Sequence, residues 1–600
     1  MKKYNKYVVL VIGYFNVAIY YAQQKLSHKQ FIYLSALLVG VSVGFAAIVL
    51  KQLLHSIFEF ITENSFFNSS LFYGTLPVIG IVSTVFLTSY LFRNKKMIKG
   101  LSGILYLIHR RSGLVPRIQM YSQILTSSLT VGFGGSAGVE APIVVTGAAF
   151  GSNYARRYKL SKKERVLLLA SGVAAGIGSA FNAPIAGVLF TLEVLTLDVT
   201  VSAFIPLIIS AASGAIISKI FLSENVILAF YHQKPFDYSN TLFYLILASL
   251  CGLFSVYHNR IFHKSERFFS TLKLSKFIKA IIGGLLLSII ILFLPSLFGE
   301  GYASIRWISS GNEYKLLNNS LIGSFFHTDW LIIVFVIFIL FLKPIATAIT
   351  IGSGGNGGNF APSLFVGAFL GFLVSRVLNL VFDIDLPESN FVLVGMAGVL
   401  SGLYHAPLTA IFLIAEITGG YGLILPLMFV SSLSYGISKY FEPHSLDTKI
   451  FADQGEIISS NKDEQVLSGI HISEILDKNF KMLYVNQNLN EVIIIIKNSK
   501  YSIFPVNDLQ GKFVGVVTID SLKEFLFSSQ IYNQLMVSQF LLKPEQIIDN
   551  EISIDQVLAF MDKYDYWFAP VVMHSEFKGF VYKNDILTNY RHRLVNDIID

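Results

Sequence analysis

Apolar runs at 33–50, 203–221, 240–256, 279–295, 330–350 and 408–438 fill the first three quarters of the chain. Several reach the ~20 residues that a helix needs to cross a bilayer. Such a chain folds as packed membrane helices, because lipid offers no partners to unpaired backbone groups. Charged residues make up 14% of the 600, against roughly 25% in soluble domains. The deficit ends near residue 465, where ordinary charge density returns. This predicts a polytopic α-helical membrane domain over 1–450, a linker over 451–465 and a soluble α/β region over 466–600.

The net charge of +8 is not a nucleic-acid signature. Its clusters flank apolar segments: Arg93, Lys95, Lys96 and Lys99, then Arg110 and Arg111, then Arg156 through Arg165. The positive-inside rule makes these cytoplasmic loops. Cys251 is the single cysteine, so no intramolecular disulfide forms, and its apolar neighbours read it as a small buried side chain. Lys2, Lys3 and Lys6 precede an apolar stretch from Tyr7 that has no A-x-A site. It reads as an uncleaved first helix.

Two motifs occur twice. "GVEAPIVVTGAAFG" (138–151) matches "GNFAPSLFVGAFLG" (358–371), each with Gly-x-x-Ala-Pro and then Gly-Ala. "FNAPIAGVLFTLEV" (181–194) matches "YHAPLTAIFLIAEI" (404–417), each with a Glu nine residues after the proline, Glu193 and Glu416. The order is the same and the spacings nearly so. Internal duplications of this kind typify transporter folds, with the substrate held between the halves.

Each first motif describes an irregular loop opening a helix. Proline suits a first helical turn, and glycine allows close approach of the backbone. The helix start carries unpaired N–H groups and about half a positive charge, an anion site without a full cation. Two such starts, at 138–142 and 358–362, predict convergence on one anion. Glu140 is then a lone acid at an anion site, and an intramembrane acid is a functional candidate by default.

"GVEAP" resembles the GREGP motif of the CLC chloride channels and anion/proton antiporters. "GNFAP" resembles their GxFxP motif, and "FNAPIAGVLFTLEV" the CLC helix that follows. The resemblance spans roughly residues 30–450. It implies a CLC-like inverted repeat with broken half-helices, and a homodimer in the lipid bilayer with one anion pathway per subunit and no required cofactor. Glu140 falls on the gating glutamate, whose protonation lets an anion in. Gly138, Val139, Gly358, Asn359 and Phe360 fall on the anion pathway, with backbone N–H groups of Val139, Asn359 and Phe360 as ligands.

Three departures stand out. Val194 occupies the place of the antiporters' inner proton-relay glutamate. Glu193, beside it, reads as a structural residue at the helix end and subunit interface, with proton carriage the alternative. The GSGIP serine is missing: an ungapped match places Lys99 there, a gapped one Ser102. The C-terminal tyrosine of the central site is also missing, with Asp447 as the match after Pro443 and Ser445 as second choice. Lys99 and Asp447 are therefore expected to pair at the inner mouth, the alternative being that both point into water. Val194 inclines the reading towards channel-like conduction, with chloride/proton antiport as the alternative.

The tail holds two related units, 466–528 and 529–600. "NEVIIIIKNS" and "IDQVLAFMDK" are amphipathic helices; "YSIFPV" and "YWFAPVV" are strands; "GVVTID" and "GFVYKND" each end on an acid. This resembles a tandem CBS pair, which implies a cytoplasmic location and a possible adenine-nucleotide site at Thr518, Asp520 and Asp585. A multi-pass protein of a bacterial inner (plasma) membrane is the expected setting. A cation transporter would need acidic or carbonyl-rich sites where these helix starts present N–H groups. A membrane metalloprotease would need H-E-x-x-H, and the sequence has none; His405 reads as a packed or cavity-lining residue.

Overall fold

The computed structural model describes residues 14, 16–63, 70–92, 98, 100–195, 201–222, 234–322, 325, 328–453, 467, 470–527, 529–544, 547–548, 552–573 and 576–599. The stretch from Tyr7 therefore begins outside the described residues, though 16–25 are helical. Two compact units divide the chain, Met1–Asp453 and Gln454–Asp600.

In the first unit, helices α1 (His28–Glu63), α2 (Ser70–Phe86), α3 (Gly100–Arg110), α4 (Gln119–Gly132), α5 (Glu140–Arg157), α6 (Lys162–Phe181), α7 (Pro184–Val194) and α8 (Val201–Leu222) form one half. The second half repeats the series as α9 (Thr241–Thr271), α10 (Lys276–Phe293), α11 (Tyr302–Ser309), α12 (Asp329–Gly352), α13 (Phe360–Phe382), α14 (Glu388–Tyr404), α15 (Pro407–Ile417) and α16 (Ile424–Phe441). Packing repeats as well. α1 lies on α6 and α8 as α9 lies on α14 and α16, while α5 pairs with α6 as α13 pairs with α14. Eight helices among the described residues are long and apolar enough to cross a membrane.

Local chemistry explains the breaks. Ser161 and Glu164 form a capping box that opens α6. α6 ends on Asn182 and α14 on His405, both left-handed with φ 54° and 56°. Pro184 and Pro407 then start α7 and α15 at once, where a proline loses no hydrogen bond. The apolar run 408–438 is therefore not one helix, because Gly419, Gly420 and Gly422 separate α15 from α16. Cys251 is buried within α9.

α7 and α15 tie the halves together end to end. Glu193, near the end of α7, accepts the N–H groups of Leu408 (3.0 Å) and Thr409 (2.8 Å) and the Thr409 hydroxyl (2.6 Å). Glu416, near the end of α15, accepts the N–H groups of Ile185 (3.0 Å) and Ala186 (2.8 Å). Each acid thus caps the other half's helix, where a negative charge meets the positive end of the dipole.

In the second unit β1 (Leu483–Tyr484), β2 (Ile503–Asn507) and β3 (Phe513–Thr518) form one sheet, and β4 (Phe568–Met573) and β5 (Glu576–Tyr582) another. β2 pairs antiparallel with β3, and β4 with β5. The cores do not follow the division expected at 528/529. Ile470, Ile472 and Ile475 pack with Ile548, Val557 and Val571, whereas Val537 and Phe540 pack with Phe504 and Val517. Each copy gives its leading apolar segment to the other, since a small sheet needs a second layer to bury its face.

Candidate functional site

The two glycine-rich loops cross in the middle of the first unit. Gly138 N–H donates to Gly358 O at 2.9 Å, and Gly358 N–H to Gly138 O at 2.8 Å, as an antiparallel bridge. α5 and α13 start two residues further on, so their N-termini meet, as the sequence predicts. A methyl group at 138 would overlap Ala361, and one at 358 would overlap Ala141. Gly358→Ala is therefore expected to cost ~1–3 kcal/mol by overpacking and to push Ala141, and with it Glu140, out of place. Thermal unfolding together with anion flux from liposomes checks this; wild-type values for both would mean the crossing has slack.

Glu140 is 2% exposed. Its Oε1 accepts the Tyr302 hydroxyl at 2.6 Å. Its Oε2 is buried, and the backbone N–H groups of Glu140 itself and of Ala361 act on the carboxylate. Two cavities meet at this side chain. The larger, about 550 Å³, is lined by Lys51, Glu300, Tyr302 and Arg306 among others. The smaller, about 130 Å³, is lined by Ser102, Asn356, Phe360, Tyr404 and Asp447 among others. Glu140 is the partition between them.

The other residues singled out in the sequence divide into groups. Gly138, Val139, Glu140, Gly358, Asn359 and Phe360 come together around the crossing. Val139 N–H donates to Glu300 Oε1 at 3.3 Å, Asn359 Oδ1 meets His258 Nε2 at 3.3 Å, and the Phe360 ring packs on Phe181, Phe190 and Tyr404. Ser102 donates to Asp447 Oδ1 at 3.0 Å, so the gapped match brings a serine into the smaller cavity. Lys99 lies outside the described residues, and the described partner of Asp447 is Ser102. Ser445 bonds to Thr448 instead.

Val194 is buried, at 4% exposure, and neither it nor Glu193 is among the residues that line the two cavities. His405 packs edge-on against Tyr435. In the second unit the Thr518 hydroxyl accepts Ser521 N–H as a helix cap, Asp520 pairs with Lys523 at 2.6 Å, and Asp585 O accepts the Asn589 side chain. No group of three or more His, Cys, Asp or Glu suited to a metal stands together among the described residues.

Sequence reasoning missed a supporting framework that is built twice. Lys343, 0% exposed, donates to Ser136 Oγ (2.9 Å) and Gly299 O (3.0 Å). In the other half Gln123 donates to Ile98 O (2.8 Å) and accepts from Asn356 (2.8 Å). Ser136 N–H donates to Thr350 Oγ1, and Asn356 N–H to Thr130 Oγ1. The available signal was a lysine inside the apolar run 330–350. Glu300 and Tyr302 were legible only as "GEGY", an acid between glycines beside an apolar run; Tyr404 directly precedes the second half's "HAP".

Residues 79–439 match the family model described as voltage gated chloride channel, and 472–528 match the CBS domain model. A putative chloride channel protein ClcB-like of Ralstonia nicotianae is 31% identical over 342 residues, 56% of this chain and 76% of that one. Chloride channel protein CLC-e of Arabidopsis thaliana is 24% identical over 68% of this chain and 63% of its own length. Among solved structures, a slow cyanobacterial Cl⁻/H⁺ antiporter superposes with TM-score 0.60 at 22% identity, covering 72% of this chain and 99% of that one. A eukaryotic CLC transporter gives 0.57 at 19%, covering 93% and 99%.

Proposed function

The chain belongs to the voltage-gated chloride channel family, and from that premise we propose that it passes chloride through a pathway gated by protonation of Glu140. The observation that carries the reading is the position of Glu140. Its carboxylate stands between two cavities, at two converging helix starts, with one oxygen held by Tyr302 and the N–H groups of Glu140 and Ala361 acting on it from the two starts. It fills the place of an anion; once neutral, it loses the attraction that holds it there.

Passive, channel-like conduction is the leading form. Val194 carries no proton, and both Glu193 oxygens are engaged at the start of α15. Proton-coupled exchange is the second form, and Asp447 favours it. This carboxylate lines the same cavity as Glu140, with Tyr404 also on its wall, and offers a proton route that avoids Glu193. The working unit is proposed as a homodimer with one pathway per subunit, in a bacterial inner membrane with the CBS pair in the cytoplasm. Adenine nucleotide at Thr518, Asp520 and Asp585 has less support, because Thr518 and Asp520 already have partners.

Paired chloride and proton flux from liposomes tests both forms. Chloride efflux without proton movement is the expected result. Uphill proton uptake driven by a chloride gradient, lost in Asp447→Asn and kept in Glu193→Gln, would replace conduction by exchange. Absence of any anion flux would overturn the anion reading.

A further inference from the structure

Glu300 belongs to no recurring motif, yet it holds an N–H group at the head of the pathway. It sits between Gly299 and Gly301, just before α11. Gly301 has φ 90°, and a methyl group there would overlap Phe365, so the backbone that aims Glu300 is closely held. Glu300 Oε1 accepts the N–H of Val139, the residue that opens α5. That N–H already has a carboxyl oxygen as its acceptor where an anion would bind. We propose that Glu300 is a second tethered carboxylate of the pathway, occupying the Val139 N–H until neutralised or displaced by an incoming anion. This rests on the anion reading above and adds a second acid to it.

The surroundings fit such a role. From α5, Glu140 faces Glu300, and the two carboxylates repel one another. Two like charges this close resist simultaneous ionisation. Lys51 of α1 and Lys343 of α12 act on Glu300 with opposite charge, and Lys343 holds the Gly299 carbonyl directly before it. Tyr302 and Arg306 of α11 and His55 of α1 complete the charged and titratable lining of the larger cavity. The repeat itself does not call for an acid. α3 also opens on a positive-φ glycine, Gly100, and the sequence there reads Lys99 in place of Glu300.

Calorimetric titration of purified protein with chloride, at neutral and at acidic pH, tests the proposal. Wild type should bind more tightly at acidic pH. Glu300→Gln, nearly isosteric and uncharged, should bind on the order of tenfold more tightly than wild type at neutral pH, with a flatter pH profile. Glu300→Ala, which frees the N–H outright, should move the same way. Folded Gln and Ala variants that match wild type at both pH values would overturn the role of Glu300 alone, provided Glu140→Ala still changes the profile. No chloride binding in wild type or in any variant would overturn this proposal and the anion reading together.

Discussion

Glu140→Ala is expected to lose most of the fall in chloride flux between acidic and neutral pH, with Glu300 supplying the remainder. In wild type the protonated, open fraction falls about tenfold per pH unit wherever Glu140 is mostly ionised. Flux therefore declines as pH rises, and alanine removes the group whose charge causes most of the decline. Tyr302 loses its acceptor, while the Gly138–Gly358 crossing loses nothing, because its hydrogen bonds are backbone to backbone. The variant should therefore fold. Chloride efflux from liposomes across a pH series is the measurement. A profile as steep as wild type would move the gate elsewhere, with Glu300 the first place to look.

Glu193→Ala should have the largest effect on stability. It strips three donors at the start of α15 of their acceptor. Loss of charge-assisted bonds to half-buried donors costs about 2–4 kcal/mol. Glu416→Ala, with two donors, should cost less, and Glu193→Gln should recover part of the loss. Thermal unfolding of the purified protein reads the effect. Unchanged stability together with a changed proton-to-chloride ratio would make Glu193 a proton carrier rather than a cap.

Much of the molecule was legible because its strongest signals are local. Apolar runs mark helices, Ala-Pro marks a helix start, and a duplicated motif marks a duplicated fold. Glu140 was legible for the same reason: an acid among glycines at a helix start is anomalous in an apolar chain. The inner departures were half legible. A gap of three residues chooses between Lys99 and Ser102, and only packing against Asp447 brings Ser102 forward. That the leading segments of the two tail units pack into each other's cores was not legible, because it is a long-range choice that leaves no local mark.

The sequence by itself determined the membrane character, the doubled helix starts and Glu140 as the acid between them. Those follow from hydropathy, proline and glycine, whose effects act within a few residues. The tertiary structure decided what faces Glu140 and what becomes of Glu193. Tyr302 and Glu300 reach the site from more than 150 residues away, and Glu193 is drawn into a cap on the opposite half. Side chains so distant in the chain meet only when both halves have packed, and a hydrogen bond between them has no periodicity to announce it.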